Sequence, residues 1–230
     1  MELFNQIFIF SFCLIIVLYV FYPLKKIEIM LEVKNLSKSF SNLCVIDDVS
    51  CTFKQGEIIA LLGENGSGKT TMLKCLANII NIDNGKINYN NNQFVFINDK
   101  PNIFGDLNIK ENLKCILSIY NQKIDLNRYN KFITTLGLDN MQSIPLKYFS
   151  TGNLQRNKLL IALNLDWQYL FIDEPFSNLD DNGFSVFKTI FSELKIQNKT
   201  ILFSTHNLSS VSDICDKSIG IKDGKIYYND

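Results

Sequence analysis

The chain has one histidine, one tryptophan and four prolines, and only two of its 23 basic residues, Arg128 and Arg156, are arginine. A lone imidazole cannot build a multi-histidine metal centre, and the six cysteines (13, 44, 51, 75, 115, 215) contain no C-x-x-C pair to complete a zinc site. Nor do they suggest a disulfide framework, which belongs to much shorter secreted chains. They read as small buried hydrophobes in a reducing compartment. Charge of either sign is not in excess: 23 acidic residues balance the 23 basic ones over 230 residues. That balance argues against a nucleic-acid partner held by counterion release. With 47% apolar and 20% charged residues, disorder throughout is excluded. Alanine is scarce, at positions 60, 77 and 162 only, while Asn, Ile, Phe, Tyr and Lys abound. Such a bias follows AT-rich codons, as in organelle, endosymbiont or parasite genomes, and carries no chemistry.

The length suits one domain with an appendage. Residues 1–29 differ from the rest: Ile7–Tyr22 (IFIFSFCLIIVLYVFY) is uncharged and is followed by Lys25 and Lys26. Extended to Leu24, the run just reaches the 17–25 residues that a bilayer span needs. It lacks the basic n-region and cleavage site of a secretory signal. Two readings stand: a membrane anchor with the lysines on the side of the globular domain, or an upstream extension ahead of a start at Met30. From residue 30 to 230 strands alternate with helices. Leu31–Val33 and Val49–Phe53 read as half-buried antiparallel strands, and Glu57–Leu62, Tyr169–Ile172 and Thr200–Phe203 as buried central ones. Helical spacing covers Thr70–Ile80 and a segment near Gly183–Lys195. Residues 106–165 are helical in tendency, with breaks at Gly137, Pro145 and Gly152. Asn88–Asn92 reads as a surface hairpin and Ile219–Tyr228 as a closing one. The expected class is α/β.

Gly63-Glu-Asn-Gly-Ser-Gly-Lys69-Thr70 fits G-x-x-x-x-G-K-[ST] between a predicted strand and helix, the context a phosphate loop requires. Glycines let backbone N–H groups close around phosphate oxygens, and the following helix aims its positive end at the anion. The candidate ATP-binding set is Gly63, Glu64, Asn65, Gly66, Ser67, Gly68, Lys69, Thr70 and Thr71. Lys69 would reach the β- and γ-phosphates, and the Thr70 hydroxyl would ligate Mg²⁺. Downstream, Tyr169-Leu-Phe-Ile-Asp173-Glu174 delivers two carboxylates at the C-terminal end of a strand, the edge where parallel sheets bind ligands. Asp173 suits Mg²⁺, and Glu174 is placed to polarise the attacking water.

The remaining pieces resemble ATP-binding-cassette (ABC) ATPases. Phe149-Ser150-Thr151-Gly152-Asn153-Leu-Gln-Arg156 resembles their signature segment, Ser177-Asn-Leu-Asp180 their D-loop, and His206, closing Phe-Ser-Thr-His, their switch histidine. Phe40 falls where the family stacks an aromatic ring on adenine. The resemblance spans residues 31–228. It implies a P-loop NTPase of ABC type: a mostly parallel central sheet, an antiparallel β subdomain and a helical subdomain inserted at about 99–165. It also implies two copies dimerising head to tail, with ATP between Lys69, Thr70, Asp173 and Glu174 of one and Ser150 and Gly152 of the other. The signature departs from the usual Leu-Ser-Gly-Gly-Gln, and Asp99 stands where a Gln usually senses Mg²⁺ and the membrane subunit. Asp99 is thus a further candidate for Mg²⁺, or a solvated loop residue beside Lys100.

Within the superfamily, the chain is most similar to the ATP-binding subunit of the haem exporter of cytochrome c maturation. The shared stretches are Asp173-Glu-Pro-Phe-Ser-Asn-Leu-Asp180 with Gly183, and Asp106-Leu-Asn-Ile-Lys-Glu-Asn-Leu113. The implied function is ATP hydrolysis linked to haem export or haem-chaperone release, with separate membrane-spanning subunits. The implied location is the matrix side of a mitochondrial inner membrane, or the cytoplasmic side of a bacterial one. Lipid, lipoprotein or drug transport, and a soluble non-transport role, are the competing expectations.

Overall fold

The computed structural model describes residues 29–90, 93–98 and 103–229. The N-terminal apolar run and Asp99 lie outside the described residues. The chain opens with an antiparallel sheet of order β2-β1-β4, comprising β1 (Ile29–Phe40), β2 (Leu43–Lys54) and β4 (Asn84–Tyr89). A two-residue turn joins β1 to β2, with Ser41 at φ 52°. Alternate side chains of β2, namely Val49, Cys51 and Phe53, are buried while their neighbours face solvent, the period of a one-sided sheet.

The second sheet has six strands in the order β5-β6-β7-β3-β8-β9. They are β3 (Ile58–Leu62), β5 (Phe94–Ile97), β6 (Tyr169–Ile172), β7 (Thr200–Thr205), β8 (Lys217–Lys222) and β9 (Lys225–Asn229). All neighbours pair in parallel except the closing hairpin β8–β9. The fold is therefore α/β with a mostly parallel central sheet and an antiparallel companion. Its strands separate two cores by their twofold alternation. Ile58, Ala60 and Leu62 of β3 enter one core with Leu170 and Ile172, whereas Ile59 and Leu61 enter the other with Tyr169 and Phe171. Each fully buried side chain of this size contributes about 1.5–3 kcal/mol.

Helix α1 (Lys69–Leu76) follows β3. Between β5 and β6 in the chain lie α2 (Ile109–Ile119), α3 (Leu126–Thr135) and α4 (Thr151–Asn164), and α5 (Asp181–Ile196) follows β6. A capping box starts α2: Asn108 Oδ1 accepts the Glu111 N–H at 3.0 Å, and Glu111 Oε2 accepts that of Asn108 at 2.9 Å. One turn on, fully buried Asn112 donates to the carbonyls of Phe104, Leu107 and Asn108 and so fixes the entry loop.

Three expectations need correction. The helix read over Thr70–Ile80 stops at Leu76, because Asn78 turns to φ 51° and leaves Ile79 exposed. Asn88 does not belong to a surface hairpin: it lies in β4 opposite Glu32, to whose Oε2 its amide donates at 3.1 Å. Gly152 does not break the helical region; it sits in the first turn of α4, which Ser150 caps.

Candidate functional site

Buried strand β3 hands the chain to Gly63, and the loop closes where α1 begins at Lys69. A Cβ on Gly63 would lie 2.3 Å from Ser67 Oγ and 2.7 Å from the Ile221 carbonyl, so only glycine permits this approach. Gly66, at φ 85°, has nothing within 4 Å of a would-be Cβ; its backbone faces open space. Gly68 caps α1 without a side chain, which leaves the first N–H groups of the helix with no side-chain acceptor. Lys69 is only 7% exposed, and its Nζ folds back on the loop, donating to the carbonyls of Gly63 at 2.8 Å and Glu64 at 3.1 Å. Ser67 Oγ is buried and has no hydrogen-bond partner.

The loop forms one wall of a 380 Å³ cavity. Phe40 and Val45 line it from the antiparallel sheet, and Asp173 and Glu174 from the end of β6. Asp173 is 4% exposed and bridges two elements: Thr70 Oγ1 donates to its Oδ2 at 2.7 Å, and Ser204 Oγ of β7 donates to its Oδ1. Glu174 adopts φ 47°, a left-handed conformation that costs an ordinary residue about 1–2 kcal/mol. Its backbone N–H donates to Ser204 Oγ at 2.9 Å. Its Oε2 lies 3.3 Å from Ser177 Oγ and 3.3 Å from His206 Nδ1. Glu174, Ser177 and His206 border an adjoining recess with Asn65. Such strain persists only where the surrounding structure over-determines it.

The predicted signature residues do not line this cavity. Ser150 Oγ accepts the Asn153 N–H at 3.3 Å at the start of α4, with Thr151 and Gly152 between them in the first turn. A Cβ on Gly152 would meet the Asn178 carbonyl at 2.7 Å, so the glycine lets the 174–180 loop lie against the helix. Asp180 caps α5 through the Gly183 N–H at 3.0 Å and accepts Arg156 Nη2 at 2.5 Å. The guanidinium, then the Gly183 N–H, hold the Asp180 carboxyl below its ordinary value.

Lys158 and the buried role of Gln155, itself within the signature segment, are not legible in the sequence. Gln155 and Lys158, both on α4, form a buried contact with the backbone after β6. Nothing in their spacing announces it, since polar residues three apart on a helix usually face water together.

The residues present fit a magnesium nucleotide. An orphaned Ser67 hydroxyl, backbone N–H groups at a helix start and a buried ammonium all await an anion beside open space at Gly66. Thr70 and Asp173 offer hard oxygen donors 2.7 Å apart, the donor type Mg²⁺ takes. Phe40, 49% exposed, also lines the cavity.

Comparison with known proteins agrees with this geometry. The family profile described as ABC transporter matches residues 46–177. An uncharacterized ABC transporter ATP-binding protein of Methanocaldococcus jannaschii is 31% identical over 197 residues, covering 85% of this chain and 75% of that protein. The phosphonates import ATP-binding protein of Fusobacterium nucleatum is 28% identical over 227 residues, covering 87% and 92%. A solved ATP-binding subunit of an ABC transporter superposes with a TM-score of 0.78 at 27% identity, covering 86% of this chain and 88% of that one.

Proposed function

Because the chain belongs to the ABC transporter ATP-binding family, whose members hydrolyse ATP with Mg²⁺ to power transport, we propose a role for each residue of the cavity. Lys69 and the loop Gly63–Gly68 hold the phosphates, with Thr71 at the helix start and the Phe40 ring against the base. Thr70 and Asp173 hold Mg²⁺, which would neutralise phosphate charge. Glu174 orients and polarises the attacking water, and His206 keeps the Glu174 carboxylate in position. The observation that carries this reading is the convergence of Lys69 and Thr70 with Asp173 and Glu174 on one cavity from two chain segments about a hundred residues apart.

Ser150, Thr151, Gly152 and Asn153 lie off that cavity, which supports a head-to-tail pair in which each copy offers its signature turn to the other's nucleotide. Nucleotide would then shift an open–closed equilibrium that a membrane partner reads. No helix among the described residues is long and apolar enough to cross a membrane, so the membrane path is assigned to separate subunits. Residues 30–230 then act as one ATP-binding domain on a membrane surface.

For cargo, haem export or haem-chaperone release in cytochrome c maturation is supported by the segments Asp106–Leu113 and Asp173–Asp180 with Gly183, which resemble that exporter's ATPase. The AT-rich composition suits a mitochondrial gene. A second cargo reading rests on the relative named for phosphonate import. Purifying the full chain with its membrane subunits discriminates them: a haem-exporter membrane subunit supports the first, a phosphonate permease the second. The ATPase roles are tested by Glu174→Gln. Turnover should fall by about 10²–10⁴ with ATP binding retained, and near-normal turnover would overturn the assignment of Glu174.

A further inference from the structure

Gln155 lies in the second turn of α4, just beyond the signature residues, and is 4% exposed. Its side-chain Nε2 donates to two backbone carbonyls, those of Glu174 at 3.0 Å and Pro175 at 2.8 Å. A primary amide has two N–H donors, and both are used. On the other side, Gln155 Oε1 accepts from Nζ of Lys158, 7% exposed and one turn further along, at 3.0 Å. An ammonium only donates, so it forces the amide oxygen towards itself and the NH₂ towards the carbonyls; the orientation is dictated by chemistry.

The residue so gripped is the strained one. Glu174 is held at φ 47° by its N–H on Ser204 from β7 and by its carbonyl on Gln155 from α4. Its own side chain adds contacts to Ser177 and His206. Thus the backbone of the proposed water-polarising residue is anchored to the sheet on one side and to the signature helix of its own copy on the other. A rigid shift of α4, when a second copy's nucleotide seats on Ser150–Asn153, must carry the Gln155 amide with it.

We propose that Gln155, oriented by Lys158, is a positioning residue that sets the Glu174 carboxylate and transmits the state of the signature turn to hydrolysis within the same copy. The proposal rests on the assignment of Glu174 as the residue that polarises water. It predicts a loss in turnover without a loss in nucleotide binding, because the side-chain hydrogen bonds of Lys69, Thr70 and Asp173 among the described residues run to Gly63, Glu64, Ser204 and each other, not to Gln155.

The test uses the full chain with Gln155→Met, which keeps length and removes the donors, and Gln155→Glu, which keeps shape and sets a carboxylate against two carbonyls. Either variant that melts cooperatively suffices. Expected is a fall in kcat of about 10–100-fold, the scale of a misplaced catalytic group, with KM and the Kd of a fluorescent ATP analogue within about twofold. Combined with Glu174→Gln, the change should add nothing, since both act through one carboxylate. Unchanged kcat, a parallel loss of nucleotide affinity, or losses that multiply in the double variant would overturn the proposal. Near-normal turnover of Glu174→Gln alone would instead strike the assignment beneath it.

Discussion

Arg156 of α4 and Asp180 at the start of α5 are joined by a 2.5 Å contact, and the same carboxylate oxygen accepts the Gly183 N–H at 3.0 Å. The guanidinium also donates through Nη1 to the Leu136 carbonyl at 2.9 Å, so one arginine ties the signature helix to the end of α3 and to α5. Since folding lowers the Asp180 pKa from an ordinary 3.8, its contribution to stability is fully present above that value. It is lost as pH falls through the depressed folded value. The Tm gap between the native protein and Asp180→Asn should be widest near about pH 6 and narrow only as pH falls below 3.8 towards the depressed folded value. Asp180 is 67% exposed, so solvent keeps the gap small. A gap independent of pH would show that the charge does not matter.

Gly183→Ala should disturb the same junction without touching any charge. The added Cβ would lie 2.7 Å from Asp180 Oδ1 and 2.9 Å from Arg156 Nη2, so cap and ion pair must part. Losing the cap of α5 should lower Tm by about 2–4 °C in a chain of this size, measured by calorimetry. An unchanged Tm would mean that the junction relaxes freely.

Asp173→Asn should remove the charge facing Thr70 while preserving shape. The carboxylate is 4% exposed and accepts hydroxyls from both Thr70 and Ser204. Expected is a loss of Mg²⁺-stimulated turnover of at least about 100-fold, with Mg²⁺-free nucleotide binding largely kept. Titrating Mg²⁺ at fixed ATP checks this: wild-type stimulation in the variant would remove Asp173 from the metal site.

His206→Ala should cut turnover by about 10–100-fold, the worth of one hydrogen bond to a charged group. His206 Nδ1 approaches Glu174 Oε2 at 3.3 Å from an otherwise exposed position, so folding should be unaffected. Steady-state kinetics with a melting curve separates the two effects. Loss of Tm along with turnover would make His206 structural.

Much of the site is legible in the sequence because its pieces are local. The Gly63–Thr70 loop is specified by glycine spacing, and β3, β6 and β7 by apolar runs that need two covered faces. What resisted reading depends on distant partners. Strand β4 (NGKINY) is too polar and too exposed to declare itself, and forms because β1 supplies its ladder. Strand β1 is legible only at Leu31–Val33; its continuation to Phe40 is masked by bulges around Asn35, which sits at φ 50°. The bonds from Gln155 to the Glu174 and Pro175 carbonyls form because the backbone after β6 returns against α4. Sequence periodicity cannot express that.

If each catalytic cavity is completed by the signature turn of a second copy, two differently damaged copies should rescue one another. Lys69→Ala damages the phosphate loop, and Ser150→Arg sets a bulky side chain on the exposed residue that starts the signature turn while keeping Gly152 against the 174–180 loop of its own copy. Each variant alone should be inactive. Mixed in equal amounts, half of the pairs are hybrids carrying one wholly intact site, so ATPase should recover to about a quarter of the native rate. A mixture as inactive as its components would contradict the shared site.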